Sequence, residues 1–189
     1  MRLERPRIGV LALQGAFREH RQMLERLGVE VTEVRLGEQV DEVDGLVIPG
    51  GESTTIAKLA ALYGVDEAIR SYARPILGTC AGMILLDREH LGLIDIEVDR
   101  NAYGRQVASF EGDVTLRDGK APFRGVFIRA PRVREVGPAV EVLGELDGEP
   151  VLLRDGDVVV ASFHPELTDD SRVHQLFLQL VTEEKRVRA

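Results

Sequence analysis

The sequence predicts a three-layer α/β domain, with a mainly parallel central sheet flanked by helices and additional β-strands in the second half. In the first half, short apolar runs alternate with amphipathic stretches at helical spacing, which is typical of a parallel sheet covered on both faces. In the second half, strand-like runs follow one another directly, with Gly or Pro between several of them. These two patterns together define the fold class.

The first half contains strands where apolar residues are continuous, because both faces of a parallel sheet are buried. Helices are expected where apolar residues recur every three or four positions, with Gly28 and Gly64 near their ends. In order, we predict a strand at 7–13, a helix at 17–27, strands at 29–34 and 45–48, a helix at 56–63 and a short strand at 75–79.

The second half is predicted to be rich in strands and to end in a helix. Asp155-Gly156 between two apolar runs is a hairpin signal. The apolar stripe of 171–181 predicts the final helix, and the tail at 183–189 is expected to fray. The predicted strands lie at 107–116, 125–129, 139–146, 151–154 and 158–163.

Composition narrows the class of protein. The 189 residues suit a single domain spanning 1–189, and 44% hydrophobic against 30% charged residues is globular composition. No apolar run approaches the length of a membrane span, and the N-terminus has no apolar signal core. A net charge of -8 argues against an extended basic face for nucleic acid. With Cys80 as the only cysteine, we expect a soluble, cytoplasmic protein that binds neither membrane nor nucleic acid.

Cys80 stands in a pattern typical of a catalytic nucleophile. Residues 78–82 (GTCAG) follow an apolar strand and precede a helix-like run, which matches a nucleophile elbow with Cys in place of Ser. The flanking glycines permit a sharp turn, and the helix N-terminus favours a thiolate. The N–H of Ala81 is placed to stabilise an oxyanion. The alternative is a buried structural cysteine between two turn glycines, which the strand–turn–helix context disfavours.

A histidine and a carboxylate follow the last predicted strand. His164 and Glu166 are two residues apart and can project to the same side of an extended chain, with Pro165 stiffening the segment. A thiol needs a base, and the base needs an acceptor that fixes its tautomer, so Cys80, His164 and Glu166 supply all three roles. None of the other three histidines shows a matching partner. Taken alone, the His-Pro-Glu segment could equally be a turn before the last helix.

A glycine loop follows the third predicted strand. Residues 49–55 (PGGESTT) open a helix, and Gly50 and Gly51 let the backbone approach a ligand and donate to an oxyanion. The Walker pattern of a phosphate loop is absent. A plain turn with Ser53 or Thr54 as helix cap is the structural alternative.

These motifs together resemble the class I glutamine amidotransferases. The more specific likeness is to the glutaminase subunit of pyridoxal 5′-phosphate synthase, and it runs from about residue 8 to residue 180. Many amidotransferases have Gln two positions after the second elbow glycine, whereas Ile84 stands here, in agreement with the vitamin B6 family. The segments that carry the likeness are 13–16 (LQGA), 19–20 (EH), 49–54, 78–82, 100–101 (RN), 104–106 (GRQ), 127–131 (FIRAP) and 163–168 (FHPELT).

The resemblance implies a specific activity. Such subunits hydrolyse L-glutamine and pass ammonia to a barrel-shaped synthase subunit, which combines it with ribose 5-phosphate and glyceraldehyde 3-phosphate. Neither a metal nor a cofactor is implied for the glutaminase. The resemblance also implies that Cys80, His164 and Glu166 are catalytic, and that a set of residues contacts glutamine, partly through backbone groups: Gly51, Glu52, Ser53, Arg100, Ile128 and Arg129.

Two other functions stay open at this stage. One is a glutaminase that serves a different acceptor pathway, and the other is a non-catalytic regulatory module that keeps the fold. The intact Cys80, His164 and Glu166 set argues against the second. A stress protein with an elbow cysteine fits the Gly-Gly-Glu and His-Pro-Glu segments poorly.

Overall fold

The structure is a computed structural model that describes residues 5–100 and 109–188. The segment at 104–106 and the first two residues of the strand predicted at 107–116 lie outside the described residues, as does Asn101. Within the described ranges, no helix is both long and apolar enough to cross a bilayer.

The first half alternates strands and helices as predicted. Its central strands pair in parallel in the middle of the sheet. Apolar residues fill both faces of these strands, as expected where helices cover both sides of a sheet. The elements are β1 (Arg7–Leu11), α1 (Phe17–Arg26), β2 (Glu30–Val34), α2 (Gly37–Val40), β3 (Gly45–Ile48), α3 (Ser53–Leu62), α4 (Val65–Ser71), β4 (Ile76–Thr79) and α5 (Ala81–Leu86).

The second half supplies seven further strands and the last helix within the described residues. The hairpin predicted at Asp155-Gly156 is present, and Gly156 has a φ of +54°, in the region that glycine adopts readily. The elements are β5 (Ile96–Asp99), β6 (Ser109–Leu116), β7 (Phe123–Ile128), β8 (Arg132–Val136), β9 (Glu141–Leu146), β10 (Glu149–Asp155), β11 (Val158–Ala161), a 3₁₀ turn (Pro165–Leu167) and α6 (Arg172–Arg188).

Nine of the described strands form one sheet in the order β2-β1-β3-β4-β11-β10-β9-β6-β7. The first five are parallel to one another, because β11 pairs in parallel with β4 although it comes from the far end of the sequence. The next four are antiparallel extensions of the same sheet. Strands β5 and β8 form a separate antiparallel pair.

Two apolar clusters cover the two faces of the sheet. Along β3, Leu46 and Ile48 point to one cluster and Val47 to the other, as the alternation of a strand requires. Helices α2 to α5 pack on the first cluster, and α1 and α6 pack on the second. The three-layer fold with additional strands predicted from the sequence is therefore confirmed.

The sequence patterns missed several short elements and ended the last helix too early. The short helices α2 and α4 and the β5–β8 pair were not predicted. Helix α6 continues through the expected frayed tail as far as Arg188. Lys185 Nζ lies 2.8 Å from Asp44 Oδ2, so the extra turns of the helix pack back against the loop before β3.

Candidate active site

Cys80 lies directly between β4 and α5, at the carboxyl edge of the sheet. Its backbone has φ 50° and ψ -106°, a conformation that residues other than glycine rarely adopt. Two hydrogen bonds hold it there: Cys80 N–H donates to Ala161 O at 2.8 Å, and Ile84 N–H donates to Cys80 O at 3.3 Å. The side chain is almost buried, at 6% exposure, and its thiol lies 3.7 Å from the Ile128 carbonyl oxygen.

The two glycines of the elbow are required by close backbone contacts. A Cβ on Gly82 would lie 2.1 Å from Ile48 O, which belongs to the neighbouring strand. A Cβ on Gly78 would lie 2.6 Å from Leu86 Cδ1 and 2.9 Å from the backbone of Gly82. The turn is therefore tight enough to exclude any larger residue at either position without movement of the chain.

His164 follows β11, the strand that pairs with β4, and so comes to the edge where Cys80 lies. Its N–H donates to Val126 O at 2.8 Å, which ties it to β7. A Cβ on Gly50 would lie 2.4 Å from His164 Cε1 and 3.1 Å from Cys80 Cβ. The imidazole and the cysteine are therefore neighbours across the glycine loop.

Glu166 holds the imidazole from behind. Its Oε1 atom lies 2.7 Å from His164 Nδ1, and both side chains are buried. An extended segment was expected to bring the two side chains together, but Glu166 lies in the 3₁₀ turn instead. The turn places the Glu166 carboxylate beneath the His164 ring, so the two side chains still meet.

The charges of these groups are set by burial and by one another. Burial opposes a positive charge on His164, but hydrogen bonds with Cys80 and Glu166 outweigh it and raise its pKa to about 10. Burial would raise the pKa of Glu166, yet the His20 and His164 imidazoles lower it below its ordinary value. The site therefore contains an imidazolium and a carboxylate at neutral pH.

The glycine loop is fixed by the segment that follows β1. Ala16 N–H donates to Gly50 O at 3.0 Å, and Glu52 N–H donates to the side-chain oxygen of Gln14 at 2.7 Å. The cap of α3 is Glu52 and not Ser53 or Thr54, the two caps considered in the structural alternative: the Glu52 carboxylate accepts from the N–H groups of Thr54 and Thr55. Hydrogen bonds from the side chain and backbone of Thr55 lower the pKa of Glu52 to about 2.

A cavity of about 460 Å³ opens above Cys80. Pockets that enclose a small metabolite have volumes of this order. The six residues assigned to glutamine by resemblance all contribute to its lining, together with Ala81, whereas Glu166 lies behind it. The lining residues are Gln14, Gly51, Glu52, Ser53, Cys80, Ala81, Ile84, Arg100, Ile128, Arg129 and His164.

Two features of the cavity wall are suited to a zwitterionic ligand. Arg129 has a φ of 43°, which is uncommon for a residue other than glycine. It directly follows Ile128, whose carbonyl oxygen faces Cys80. Arg100 donates from Nη2 to Nε2 of His90, whose Nδ1 lies 2.6 Å from Asp87 Oδ1. Arg100 is therefore held by a second histidine–carboxylate pair at the rim of the cavity.

His20 and His174 have partners that were not expected from the sequence. His20 and His174 are distant in sequence, but His20 Nδ1 lies 2.9 Å from His174 Nε2 in the buried layer beneath the site. His20 Nε2 lies 3.2 Å from Glu166 Oε2. Gln14 was also missed as a loop-fixing residue, although an amide directly after the first strand was the available signal.

Comparisons with known proteins agree with this geometry. Residues 10–183 match the SNO glutamine amidotransferase family. The chain belongs to that family. Pyridoxal 5′-phosphate synthase subunit PdxT of Thermosipho africanus is 52% identical over 185 residues, which cover 93% of this chain and 98% of the relative. The same subunit of Thermus thermophilus is 52% identical over 185 residues, with 92% and 96% covered. The resemblance drawn from the motifs is confirmed.

Solved structures give the same result for the fold of this amidotransferase. A glutamine amidotransferase crystal structure has a TM-score of 0.87 at 49% identity and covers 93% of this chain and 98% of that one. PurLQS from Thermotoga maritima has a TM-score of 0.73 at 19% identity, covering 93% and 98%, which shows a common fold.

Proposed function

We propose that this chain hydrolyses L-glutamine to glutamate and ammonia through Cys80, His164 and Glu166. The observation that carries the proposal is the strained cysteine beside an imidazole that a buried carboxylate holds at 2.7 Å. This arrangement supplies a nucleophile and a base that line one cavity, with an orienting group behind the base. Membership of a glutamine amidotransferase family supports glutamine as the substrate.

In the first half of the reaction, the Cys80 sulfur attacks the side-chain amide carbon of glutamine. The carbonyl oxygen becomes an oxyanion, which backbone N–H groups of Ala81 and of Gly50 or Gly51 stabilise. His164, which carries a proton at neutral pH, transfers it to the departing nitrogen, so that ammonia leaves and a γ-glutamyl thioester remains.

In the second half, water attacks the thioester carbonyl. Neutral His164 accepts a proton from that water, and the thiolate leaves as glutamate forms. Glu166 keeps Nδ1 of His164 protonated throughout, because its Oε1 accepts from that atom. The imidazolium and the thiolate are thereby regenerated for the next turnover.

Glutamine is held by complementary charges on the cavity wall. Its α-carboxylate is suited to Arg100 or Arg129, and its α-amino group to Glu52 or the Ile128 carbonyl. Gly51 and Ser53 contribute backbone groups at the start of α3. The Glu52 carboxylate accepts from its own helix and is ionised, so it can also attract an ammonium group.

The ammonia is delivered to a barrel-shaped synthase subunit that makes pyridoxal 5′-phosphate. Support comes from relatives of about half-identical sequence that are named as subunits of that synthase. Such a subunit works in a complex, so the isolated chain is expected to have little activity until it docks.

The test is ammonia release from glutamine by the full chain, with and without a candidate synthase subunit. Wild type should release ammonia and support pyridoxal 5′-phosphate formation when the partner is present. Cys80→Ala should abolish the release, and His164→Asn should reduce it on the order of a thousand-fold or more. Turnover that persists in Cys80→Ala would refute the nucleophile, and ammonia release without vitamer formation would indicate a different acceptor.

A further inference from the structure

Two buried histidines lie behind Glu166, on the carboxylate oxygen that His164 does not use. His20 Nε2 is 3.2 Å from Glu166 Oε2 and 3.0 Å from Thr79 Oγ1, while His20 Nδ1 is 2.9 Å from His174 Nε2. The side chains of His20 and Glu166 have no exposed surface, and His174 is likewise fully buried. Bulk water does not reach the polar atoms of this cluster, so the directions of their mutual hydrogen bonds decide which of them are left unpaired.

Both imidazoles are neutral in this environment. Burial lowers the pKa of His20, and burial followed by the nearby His20 lowers the pKa of His174 to about 3. Besides the groups already named, His164 and Glu19 face His20, and Arg26 faces His174. Each ring therefore carries one N–H and one lone pair, and their mutual hydrogen bond can run in only two directions.

The two directions differ in what they leave unsatisfied. If His20 donates from Nδ1, its Nε2 lone pair lies 3.2 Å from an ionised carboxylate oxygen, and His174 Nδ1 carries a buried N–H. Among the described residues, His174 Nδ1 and Glu166 Oε2 have no well-aligned hydrogen-bond partner. If His174 donates from Nε2 instead, His20 Nε2–H donates to Thr79 Oγ1 at 3.0 Å and lies 3.2 Å from Glu166 Oε2, so the two poorly satisfied atoms, His174 Nδ1 and Glu166 Oε2, are both acceptors. Orphaned buried N–H groups are the rarer case, so the second direction is favoured.

We propose that His20 is a positioning residue whose Nε2–H holds the second oxygen of Glu166, and that His174 fixes the tautomer of His20. The inference rests on the proposed function, since Glu166 serves catalysis only if His164 is the base. The order of contacts is His174, His20, Glu166, His164, and the last of these faces Cys80.

This cluster connects three elements to the reacting edge. His20 comes from α1, His174 from α6, and Thr79 is the last residue of β4, next to Cys80. Oε1 of Glu166 is hydrogen-bonded to His164 and Oε2 lies 3.2 Å from His20 Nε2, so contacts on both sides restrict rotation of the carboxylate about the last side-chain bond. A carboxylate held at one oxygen only would orient His164 less well.

The protonation pattern is tested first, on the wild-type full chain labelled with ¹⁵N at histidine. Long-range ¹H–¹⁵N correlation spectra distinguish the Nε2–H from the Nδ1–H tautomer, with signals assigned through His20→Gln and His174→Gln. Both buried rings should be neutral and protonated at Nε2. A His20 ring protonated at Nδ1, or one that is positively charged at neutral pH, would overturn the proposal whether or not the protein hydrolyses glutamine.

The positioning role is tested by glutaminase kinetics of the chain in complex with a synthase subunit. His20→Leu should lower kcat by about ten- to a hundred-fold, the loss typical of partners that orient a catalytic imidazole. KM for glutamine should not change, because His20 does not line the cavity. His20→Gln can place an amide N–H near the position of Nε2 and should restore most of the activity.

A destabilised control separates positioning from general damage. Leu180→Ala removes a buried side chain from the same helix as His174, further along towards its C-terminus, and leaves the polar cluster intact. It should lower the melting temperature without lowering kcat. Equal kcat for wild type, His20→Leu and His20→Gln would refute the positioning role alone, whereas an inactive wild type would refute the proposed function and leave the tautomer result standing.

Discussion

Cys80 occupies a backbone conformation that its own side chain disfavours. A non-glycine residue at φ 50° and ψ -106° costs on the order of 1–3 kcal/mol, and the surrounding structure must supply it. The hydrogen bonds to Ala161 O and from Ile84 N–H hold the residue in place. In the proposed reaction the sulfur is thus positioned before substrate arrives, so little free energy is needed to orient it.

The charge of His164 gives a prediction at the same scale. Its imidazole should titrate with a pKa near 10 in an NMR titration of the full chain, because Cys80 and Glu166 both favour the charged ring. The folded protein then binds this proton more tightly than the unfolded chain. The stabilisation from this group is complete below about pH 6.5 and is lost as pH rises through 10.

Replacement of the neighbouring sulfur provides the control for that titration. Cys80→Ala removes one of the two partners that raise the pKa of His164, so its midpoint should move down while the hydrogen bond to Glu166 persists. A wild-type midpoint close to 6.5, or one that does not change in Cys80→Ala, would contradict the proposed pairing.

The site residues differ in how visible they are in the sequence. Cys80 and the His164–Glu166 pair could be predicted because each belongs to a short local pattern at a strand end. His20 and His174 could not, because they are 154 residues apart and meet only after α1 and α6 pack on the same face of the sheet. Glu52 was assigned to glutamine, but its role as helix cap depends on a backbone geometry that residue type alone does not specify.

At the scale of elements, β3, β4 and α5 meet in a tightly packed junction. We predict that Gly82→Ala destabilises the protein by about 1–3 kcal/mol, because the added Cβ would lie 2.1 Å from the backbone oxygen of Ile48. Denaturant unfolding of wild type and variant measures this difference. The same shift of the elbow should lower glutaminase activity.

Gly112→Ala is the matched control for Gly82→Ala. Its added Cβ would meet the end of the flexible Leu146 side chain, which can rotate away. Gly112→Ala should therefore lower the free energy of unfolding much less than Gly82→Ala does, and it should leave glutaminase activity unchanged. Equal losses for the two variants would mean that close backbone packing at the elbow is not what requires glycine.

The regular elements were predictable because their patterns are long or strongly apolar. The strands β1, β3 and β4 are continuous apolar runs, and α1 has clear helical spacing. Helix α2 has only four residues and one buried side chain, so its sequence is too short to show an apolar periodicity. The strand order could not be predicted either, because the pairing of β11 with β4 brings together segments that are far apart in the sequence.

At the scale of the whole molecule, one sheet joins the two halves of the chain. The parallel and antiparallel strands share the second apolar cluster, which contains residues of β1 as well as of β10 and β11. We therefore predict a single cooperative unfolding transition for the chain, as expected of one domain. Far-UV circular dichroism and tyrosine fluorescence should give coincident curves, and two separated transitions would show that the antiparallel strands unfold on their own.

The central claim is that Cys80 acts as a nucleophile toward glutamine with His164 beside it. Incubation of the full chain with a thiol-reactive glutamine analogue, in complex with a synthase subunit and followed by intact mass, tests this directly. The sequence has a single cysteine, so any thiol adduct on this chain is at Cys80. We expect one adduct, whose formation is slowed by free glutamine and slowed further in His164→Asn. The absence of an adduct would contradict the central claim. So would an adduct that forms at a rate unchanged by free glutamine and by His164→Asn.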